Sequence, residues 1–361
     1  MSVLQRKELE ESPLADLHAI ASELAIEGYR GLRREALVTA IVEAQGGDAS
    51  DGAPESDPPK SERAHSKTDD EPETEPEAES EPAADEAPAE LTTGVLDILP
   101  GGSGFVRPAE GEDVYVSPAQ IRRCELRAGD EVTGPLRPAR RNERHPSLVR
   151  VEQVNSRPAE PPEERPLFDD LTAVYPTERL TLPQALESVP VGKGSRVAIA
   201  GGPASGATRL LREIAAALSA DDGNANVSVV LVGVRPEEVT DWRRESQANV
   251  TGGAFDASLE AQTQAAELAV ERAKRVAERG GHAIVVIDSL ELLPAAPARR
   301  IFGAARKLDE GGSLTVIAAT GMAWEAQRQA STRIGLDPPG AGGEPQLSVS
   351  RSGTLRADLL A

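Results

Sequence analysis

Continuous apolar runs alternate with helical patterns over the second half of the chain. The runs at 196–200, 226–233, 282–289 and 313–320 ("RVAIA", "NVSVVLVG", "HAIVVIDS" and "SLTVIAAT") are typical of strands that are buried on both faces. Between them, "ATRLLREIAAALS" and "LEAQTQAAELAVERAKRVAERGG" carry apolar residues at helical spacing. Strands and helices in this order predict a parallel sheet covered by helices.

A different pattern occupies residues 91–155. The segments "GVLDIL", "GFVRP", "DVYVS", "DEVTGPLRP" and "SLVRVEQV" are short strands separated by Gly, Pro and Asp. Short strands at regular intervals predict a small β-barrel.

Residues 1–46 have the pattern of a small helical module. Leu17, Ile20 and Ala21 follow helical spacing, and "LRREALVTAIVEAQGG" predicts a second helix. With Arg33 and Arg34, a nucleic-acid contact and a protein-contact or spacer role both remain open.

The charge of the chain is concentrated in one segment. The formal net charge is −21, and residues 51–90 hold 15 acidic and 3 basic residues, a net of −12. This stretch has no aromatic residue and no apolar periodicity, so 47–90 is predicted to be a disordered acidic linker. The overall acidity therefore does not exclude nucleic acid as a partner of the other domains.

Composition excludes several classes of site. Cys124 is the only cysteine, which excludes an intramolecular disulfide and a cysteine zinc site, and four histidines make a metal cluster a poor interpretation. The N-terminal residues lack the apolar core of a signal peptide, and no run reaches membrane-spanning length. We therefore expect a cytoplasmic location and no membrane partner.

Two aromatic residues of the barrel segment suggest stacking on bases. Phe105 and Tyr115 lie on adjacent predicted strands, although the whole chain has only nine aromatic residues. Small barrels bind single strands by stacking bases on such rings beside a basic track. An ordinary barrel core with a solvated arginine face is the alternative. The arginines that would form the track are Arg107, Arg122, Arg123, Arg137, Arg140, Arg141, Arg144 and Arg150.

A degenerate phosphate-binding loop follows the first buried strand. "GGPASGAT" keeps Gly201, Gly206 and Thr208 in the register of G-x-x-x-x-G-K-[ST], between a strand and a helix. Loop amides would face an anion and Thr208 would ligate Mg²⁺, but Ala207 replaces the lysine that neutralises the phosphates. The alternative is a strand-to-helix turn whose glycines serve packing.

Two further residues are candidates for the same site. Asp288 ends an apolar strand, as a Mg²⁺-binding carboxylate does in nucleotide-binding folds, and it would equally cap a helix. Arg235 stands in "VRPEEVTDW" and would contact a nucleotide, or it would simply precede a helix that begins at Pro236.

These motifs resemble the bacterial transcription termination factor Rho family. The resemblance rests on "GFVRPAEGEDVYVSPAQIRR", "RPEEVTDW", "RRIFGAARKLDEGGSLTVIAAT" and "SRSGTLRADLL", and it covers nearly the whole chain outside the linker. It implies an OB-fold or cold-shock-like RNA-binding barrel and a C-terminal α/β RecA-like P-loop NTPase domain. It also implies a hexameric, RNA-dependent ATPase that dislodges RNA polymerase.

The resemblance extends to individual positions of both domains. Phe105, Arg107 and Tyr115 match RNA contacts of the family, whereas Ser103, His145 and Pro146 stand where the family has aromatic residues. We therefore expect RNA binding that is weaker or altered in preference. The positions that match nucleotide contacts are Gly192, Lys193, Gly194, Ser195, Arg196, Val197, Ala204, Ser205, Gly206, Ala207, Thr208, Arg209, Arg235 and Asp288.

Several parts of the family's motor are absent. Ala204 and Ala207 replace two lysines, and Val234 replaces the glutamate to which the family assigns water activation. Two RNA-gripping loops and the arginine that reaches a neighbouring subunit are also missing. No catalytic residue is therefore intact, and binding of ATP and Mg²⁺ is expected to be weak or lost.

The sequence thus predicts a multidomain protein. The expected parts are a helical Rho N-terminal-like module at 1–46, the linker at 47–90, the barrel at 91–157, and a connector with a degenerate motor at 158–361. The favoured function is binding of cytosine-rich single-stranded RNA in transcription termination, with RNA polymerase and Rho subunits as further partners and a homo-oligomeric ring. The alternatives are an active divergent ATPase, in which Lys193 or a neighbour supplies the lost charge, and a non-catalytic interaction protein or ring subunit.

Overall fold

The computed structural model describes residues 90–202, 204–220, 225–322, 325–339 and 344–360, together with six residues nearer the N-terminus. These six are the helical residues Leu17, Ile20, Ala21, Val38, Thr39 and Ile41. Helix and burial at Leu17 and Ala21 agree with the predicted pattern of the first module. The remainder of that module, with Arg33 and Arg34, and residues 47–89 of the predicted acidic linker lie outside the described residues.

A closed barrel forms the first part of the continuous structure. Its elements are β1 (Leu91–Ile98), β2 (Gly104–Pro108), β3 (Val114–Val116), α1 (Pro118–Arg123), β4 (Glu131–Arg137), β5 (Ser147–Leu148), β6 (Gln153–Val154) and β7 (Arg157–Pro158). The strands pair in the order β1-β2-β3-β5-β4, and β4 returns to pair with β1, so five strands close the barrel. The predicted small barrel is confirmed.

Alternation along the strands separates the inside of the barrel from the outside. Val106, Val114 and Val116 are at most 2% exposed and belong to one apolar cluster, while Phe105, Arg107 and Tyr115, which alternate with them along β2 and β3, face outward. This period of two sends Phe105 and Tyr115 to the outer surface.

The second part is an α/β domain. Its elements are β8 (Ala173–Val174), β9 (Arg196–Ala200), α2 (Ala207–Ala220), β10 (Ala225–Val234), α3 (Pro236–Glu245), β11 (Asn249–Ala254), α4 (Leu259–Glu278), β12 (His282–Asp288), α5 (Ala295–Gly303), β13 (Arg306–Leu308), β14 (Ser313–Thr320), β15 (Thr332–Asp337), β16 (Gln346–Leu347) and β17 (Gly353–Thr354). The strands β11-β10-β12-β14-β9-β15 run parallel in that order. The predicted parallel sheet covered by helices is therefore confirmed, and the short antiparallel strands at its margins were not predicted.

The sheet is buried on both faces. Along β12, Val285 and Ile287 pack in the cluster that contains α4 and α5, while Ile284 and Val286 pack in the cluster that contains α2 and α3. This explains why the strand reads as a continuous apolar run rather than an alternating one.

The barrel rests on helix α4 through polar and backbone contacts. A Cβ on Gly129, whose φ is +85°, would overlap the backbone of Glu271 and Arg272. Arg127 lies 3.8 Å from the Glu278 carboxylate, at the C-terminal end of the same helix. The two domains belong to one compact unit, which extends from Pro82 to Ala361.

Candidate nucleic-acid interface and phosphate loop

One row of outward-facing side chains crosses all five strands of the closed barrel. Strand register places Asp97 opposite Phe105, Phe105 opposite Tyr115, Tyr115 opposite Ser147, and Ser147 opposite Arg137. We call these five residues the barrel row. It sets aromatic rings between a carboxylate at one end and a guanidinium at the other.

Three rings meet at the centre of the barrel row. Phe105 packs edge-to-face on Tyr115 with ring centroids 5.9 Å apart, and on His145 with centroids 5.1 Å apart. Tyr115 is 37% exposed, so its face is accessible to a ligand. The rings line one side of an open pocket of about 700 Å³, which also contains Arg137 and Arg144. Exposed rings beside guanidinium groups can stack on bases and contact phosphates.

The loop that carries His145 is folded back by hydrogen bonds. The Glu143 carboxylate accepts from Arg137 Nη2 (2.8 Å) and from the Arg140 amide (3.0 Å), and the Tyr115 amide donates to the Pro146 carbonyl (2.8 Å). The bond from Arg137, followed by that from Arg140, lowers the pKa of Glu143, so this carboxylate stays ionised to a lower pH than an unpaired glutamate. These contacts bring His145 to the site, although the sequence indicated only that an aromatic residue had been lost there.

Helix α1 supports the same pocket. Ser117 caps it in a capping box with Gln120, and the Gln120 side chain also donates to the carbonyls of Leu148 and Val149 (3.0 and 3.1 Å). Sequence reasoning missed Gln120, whose position after Ser117-Pro118 is the signal of a capping box.

The predicted arginines are divided between several places. Arg137 and Arg144 line the pocket, and for Arg144 no carboxylate partner is found in the described part of the chain. Arg107 lies on the outer face of β2 but is paired with Asp97 at 2.6 Å. Arg122 and Arg123 end helix α1 outside the pocket lining, where Arg123 pairs with Glu160 at 2.7 Å.

The phosphate loop retains its compact backbone at the carboxyl edge of the parallel sheet. A Cβ on Gly201 would overlap the Ser205 hydroxyl, and Gly206 has a φ of +86°. Both positions therefore require glycine. Ala204 also lies in the left-handed region, at a φ of +58°.

A buried carboxylate lies beside the loop. The Thr208 hydroxyl hydrogen-bonds to Asp288, which is 4% exposed and whose Oδ2 atom has no hydrogen-bond partner among the described residues. Burial raises the pKa of Asp288 to about 6, and the bond from Thr208 opposes this rise. A hydroxyl beside an unpartnered carboxylate oxygen fits the preference of Mg²⁺ for oxygen ligands, and these are the two atoms that would hold the ion.

The arginines around the loop are already paired with carboxylates. Arg209 contacts Glu213 at 3.2 Å, Arg212 contacts Asp241 at 3.1 Å, and Arg235 contacts Glu238 at 2.6 Å. Each ion pair reduces the positive charge available to a phosphate. None of these arginines replaces the missing lysine in the geometry shown.

The strand β16 segment packs against the loop from outside. A Cβ on Gly206 would lie 3.1 Å from Pro345, and Glu344 lies 3.9 Å from Arg209. A second carboxylate is therefore added at the place where a phosphate would need positive charge. Val234, at the position of the predicted lost base, is 7% exposed and packs in the apolar cluster with α2.

The segment from Gly192 to Val197 does not join this site within the chain. It lies at the amino end of β9, whereas the phosphate loop follows the carboxyl end of the strand. Lys193 pairs with Glu178 at 3.0 Å, and Arg196 donates to the carbonyls of Gln329 and Ala305. Lys193 therefore does not supply charge to the loop of its own chain.

The fold defines the class of the protein: a closed five-stranded barrel joined to a parallel α/β domain that carries a phosphate-type glycine loop. Residues 92–160 match the family model "Rho termination factor, RNA-binding domain", and residues 8–47 match "Rho termination factor, N-terminal domain". None of the described helices is long and apolar enough to span a membrane.

Relatives named transcription termination factor Rho align with most of the chain. The protein of Chromobacterium violaceum is 34% identical over 74% of this chain and 76% of its own length. That of Bacillus subtilis is 36% identical over 74% of each chain, and that of Pseudomonas fluorescens is 29% identical over 98% of this chain and 88% of its own. The chain belongs to the transcription termination factor Rho family.

Among solved structures, an ATPase from a bacterial type III secretion system is similar over 59% of this chain and 74% of its own. Its sequence identity is 18% and its TM-score is 0.47.

Proposed function

We propose that this Rho-family protein binds cytosine-rich single-stranded RNA through the barrel row and its pocket, and that its ATPase activity is impaired or lost. The observation that carries the proposal is the contrast between the two sites. The barrel offers an exposed ring at Tyr115 and a pocket arginine, Arg144, for which the described residues provide no carboxylate partner, whereas every arginine of the phosphate loop region discussed above is paired. The protein would act in the cytoplasm, with RNA polymerase and Rho subunits as partners and as part of a homo-oligomer.

Single-stranded RNA binding tests the first half of the proposal. We expect a labelled oligocytidylate to bind the full chain with an affinity that falls as salt increases, since phosphate contacts release counterions. Tyr115→Ala should weaken binding by about 1 kcal/mol or more through loss of one stacking face. The measurement is fluorescence anisotropy, with Tyr175→Ala as the matched control, because Tyr175 is an exposed aromatic residue of the other domain. Equal affinity of wild type and Tyr115→Ala would remove stacking from the proposal.

ATP hydrolysis tests the second half. We expect no RNA-stimulated phosphate release from the wild type, and none from Ala207→Lys, because Val234 still lacks a carboxylate that could orient water. Each absent interaction worth about 1.4 kcal/mol in the transition state slows the reaction tenfold. The assay is phosphate release with and without polycytidylate, on samples whose circular dichroism shows a folded protein. If the single substitution Ala207→Lys restored turnover, this result would contradict the role assigned to Val234.

A divergent but active ATPase is the second candidate, and the Thr208–Asp288 pair favours it. If it is correct, Mg²⁺ and ATP together should raise the melting temperature of the wild type and not that of Asp288→Asn. A non-catalytic ring subunit would show neither the shift nor hydrolysis.

A further inference from the structure

Asp97 places a carboxylate at one end of the barrel row. It is 8% exposed, and its Oδ2 atom accepts from Arg107 Nη2 (2.6 Å) and from Gln264 Nε2 (2.7 Å). Arg107 lies two residues after Phe105 on the same outward face of β2, whereas Gln264 lies on helix α4 of the other domain. One carboxylate atom therefore joins the aromatic face to the α/β domain.

The contact with Asp97 limits the exposure of the Arg107 side chain to solvent. This side chain is 36% exposed, and its Nε atom is buried and has no hydrogen-bond partner in the part of the chain that the structure describes. A guanidinium group that is paired at 2.6 Å makes a strong charge-assisted bond. A phosphate of a bound RNA strand can form a full ion pair with Arg107 only by displacing Asp97.

Helix α4 connects Gln264 to the carboxyl edge of the sheet. Two residues earlier, the buried Gln262 accepts from the Gly233 amide (2.6 Å) and donates to the carbonyls of Ala254 and Ala257. Gly233 immediately precedes Val234. The first turns of α4 are thus bound to two places. Gln262 binds them to the carboxyl edge of the sheet, where the phosphate loop lies, and Gln264 binds them to Asp97 of the barrel.

We propose that Asp97 is a positioning residue that competes with RNA phosphate for Arg107, so that binding of a strand at Arg107 loosens the barrel from helix α4. This inference rests on the proposed RNA-binding function. When RNA takes Arg107, Asp97 keeps only the neutral Gln264 as a partner in a buried setting. A buried carboxylate without a cation is unfavourable, and it is relieved when the barrel moves and water reaches it.

The salt dependence of RNA binding tests the competition. Asp97→Asn removes the charge and still accepts from Gln264, so we expect three- to tenfold tighter binding at low salt. The slope of log affinity against log salt should become more negative by about 0.7, the value for one additional phosphate contact on a single strand. Asp337→Asn is the control, because the Arg351–Asp337 pair has the same length (2.6 Å) and belongs to the α/β domain.

Two further variants separate competition from other effects. In an Arg107→Ala background, Asp97→Asn should give no gain; a gain that persists there would mean general charge repulsion and would overturn the proposal. Gln264→Leu should leave the salt slope unchanged, because Arg107 stays paired with Asp97. If Gln264→Leu changed the salt slope as much as Asp97→Asn does, the effect would arise from the contact between the barrel and α4. That result would also overturn the proposal.

Hydrogen exchange tests the loosening of the barrel. RNA should accelerate amide exchange in residues 259–266 of wild type and not of Asp97→Asn, whose side chain is neutral. Equal acceleration in both proteins, or in neither, would refute the coupling. If the wild type does not bind RNA at all, the proposed function fails first; if it binds and Tyr115→Ala weakens binding while Asp97→Asn has no effect, only this inference fails.

Discussion

Phe105→Ala is expected to weaken oligocytidylate binding more than Tyr115→Ala does. Its ring contacts both Tyr115 and His145, so its removal leaves both neighbours without their edge-to-face partner. Loss of one base stack costs about 1–3 kcal/mol, or roughly 5- to 150-fold in Kd, and disorder of the two neighbouring rings adds to it.

Titration of RNA into Phe105→Ala and two matched variants measures this effect. Phe105→Leu retains an apolar side chain but has no π face, and should lose nearly as much affinity as Phe105→Ala. Phe105→Tyr should bind like wild type. If Phe105→Leu retained full affinity, packing rather than stacking would be the function of this position.

Asp288→Asn is expected to stabilise the protein by about 1–3 kcal/mol at pH 8. The pKa of Asp288 is raised from 3.8 to about 6 by burial, so the folded state binds the proton more tightly than the unfolded state does. The free energy of unfolding therefore falls as pH rises from about 4 to about 6, and stays reduced above that range. Asparagine carries no charge and removes this loss, although its amide leaves one buried donor without a partner.

Urea unfolding at pH 4 and pH 8 provides the measurement. The two proteins should differ little at pH 4 and most at pH 8. Asp256→Asn, which changes an exposed carboxylate in the turn before α4, should show no such pH-dependent gain. If Asp288→Asn were less stable than wild type at pH 8, the ionised carboxylate would have a partner that stabilises the folded protein.

The fold was predictable because its signals are local. The run from His282 to Asp288 is apolar at nearly every position, which indicates a strand buried on both faces, and the structure has that strand. The long helical pattern before Gly280 corresponds to α4, Leu259–Glu278. The short marginal strands β13, β16 and β17 have two or three residues each and carry no comparable periodicity.

The sites were predictable only in part, because they depend on contacts between distant residues. Phe105 and Tyr115 were found from strand alternation, but His145 reaches them through a loop held by Glu143, which sequence spacing does not reveal. Conversely, Val197 lies only four residues before Gly201, and an extended strand places them at opposite ends of β9. The family resemblance assigned both segments to nucleotide contact, and within one chain they lie at opposite ends of this strand.

The apolar residues of the barrel form a cluster of their own, distinct from the two clusters on either side of the parallel sheet. The barrel rests on α4 through Asp97, Arg127 and the backbone at Gly129 rather than through shared apolar packing. A substitution in the phosphate loop consequently removes no apolar contact from the barrel. Substitutions can therefore accumulate in the phosphate loop while the apolar core that folds the barrel stays intact.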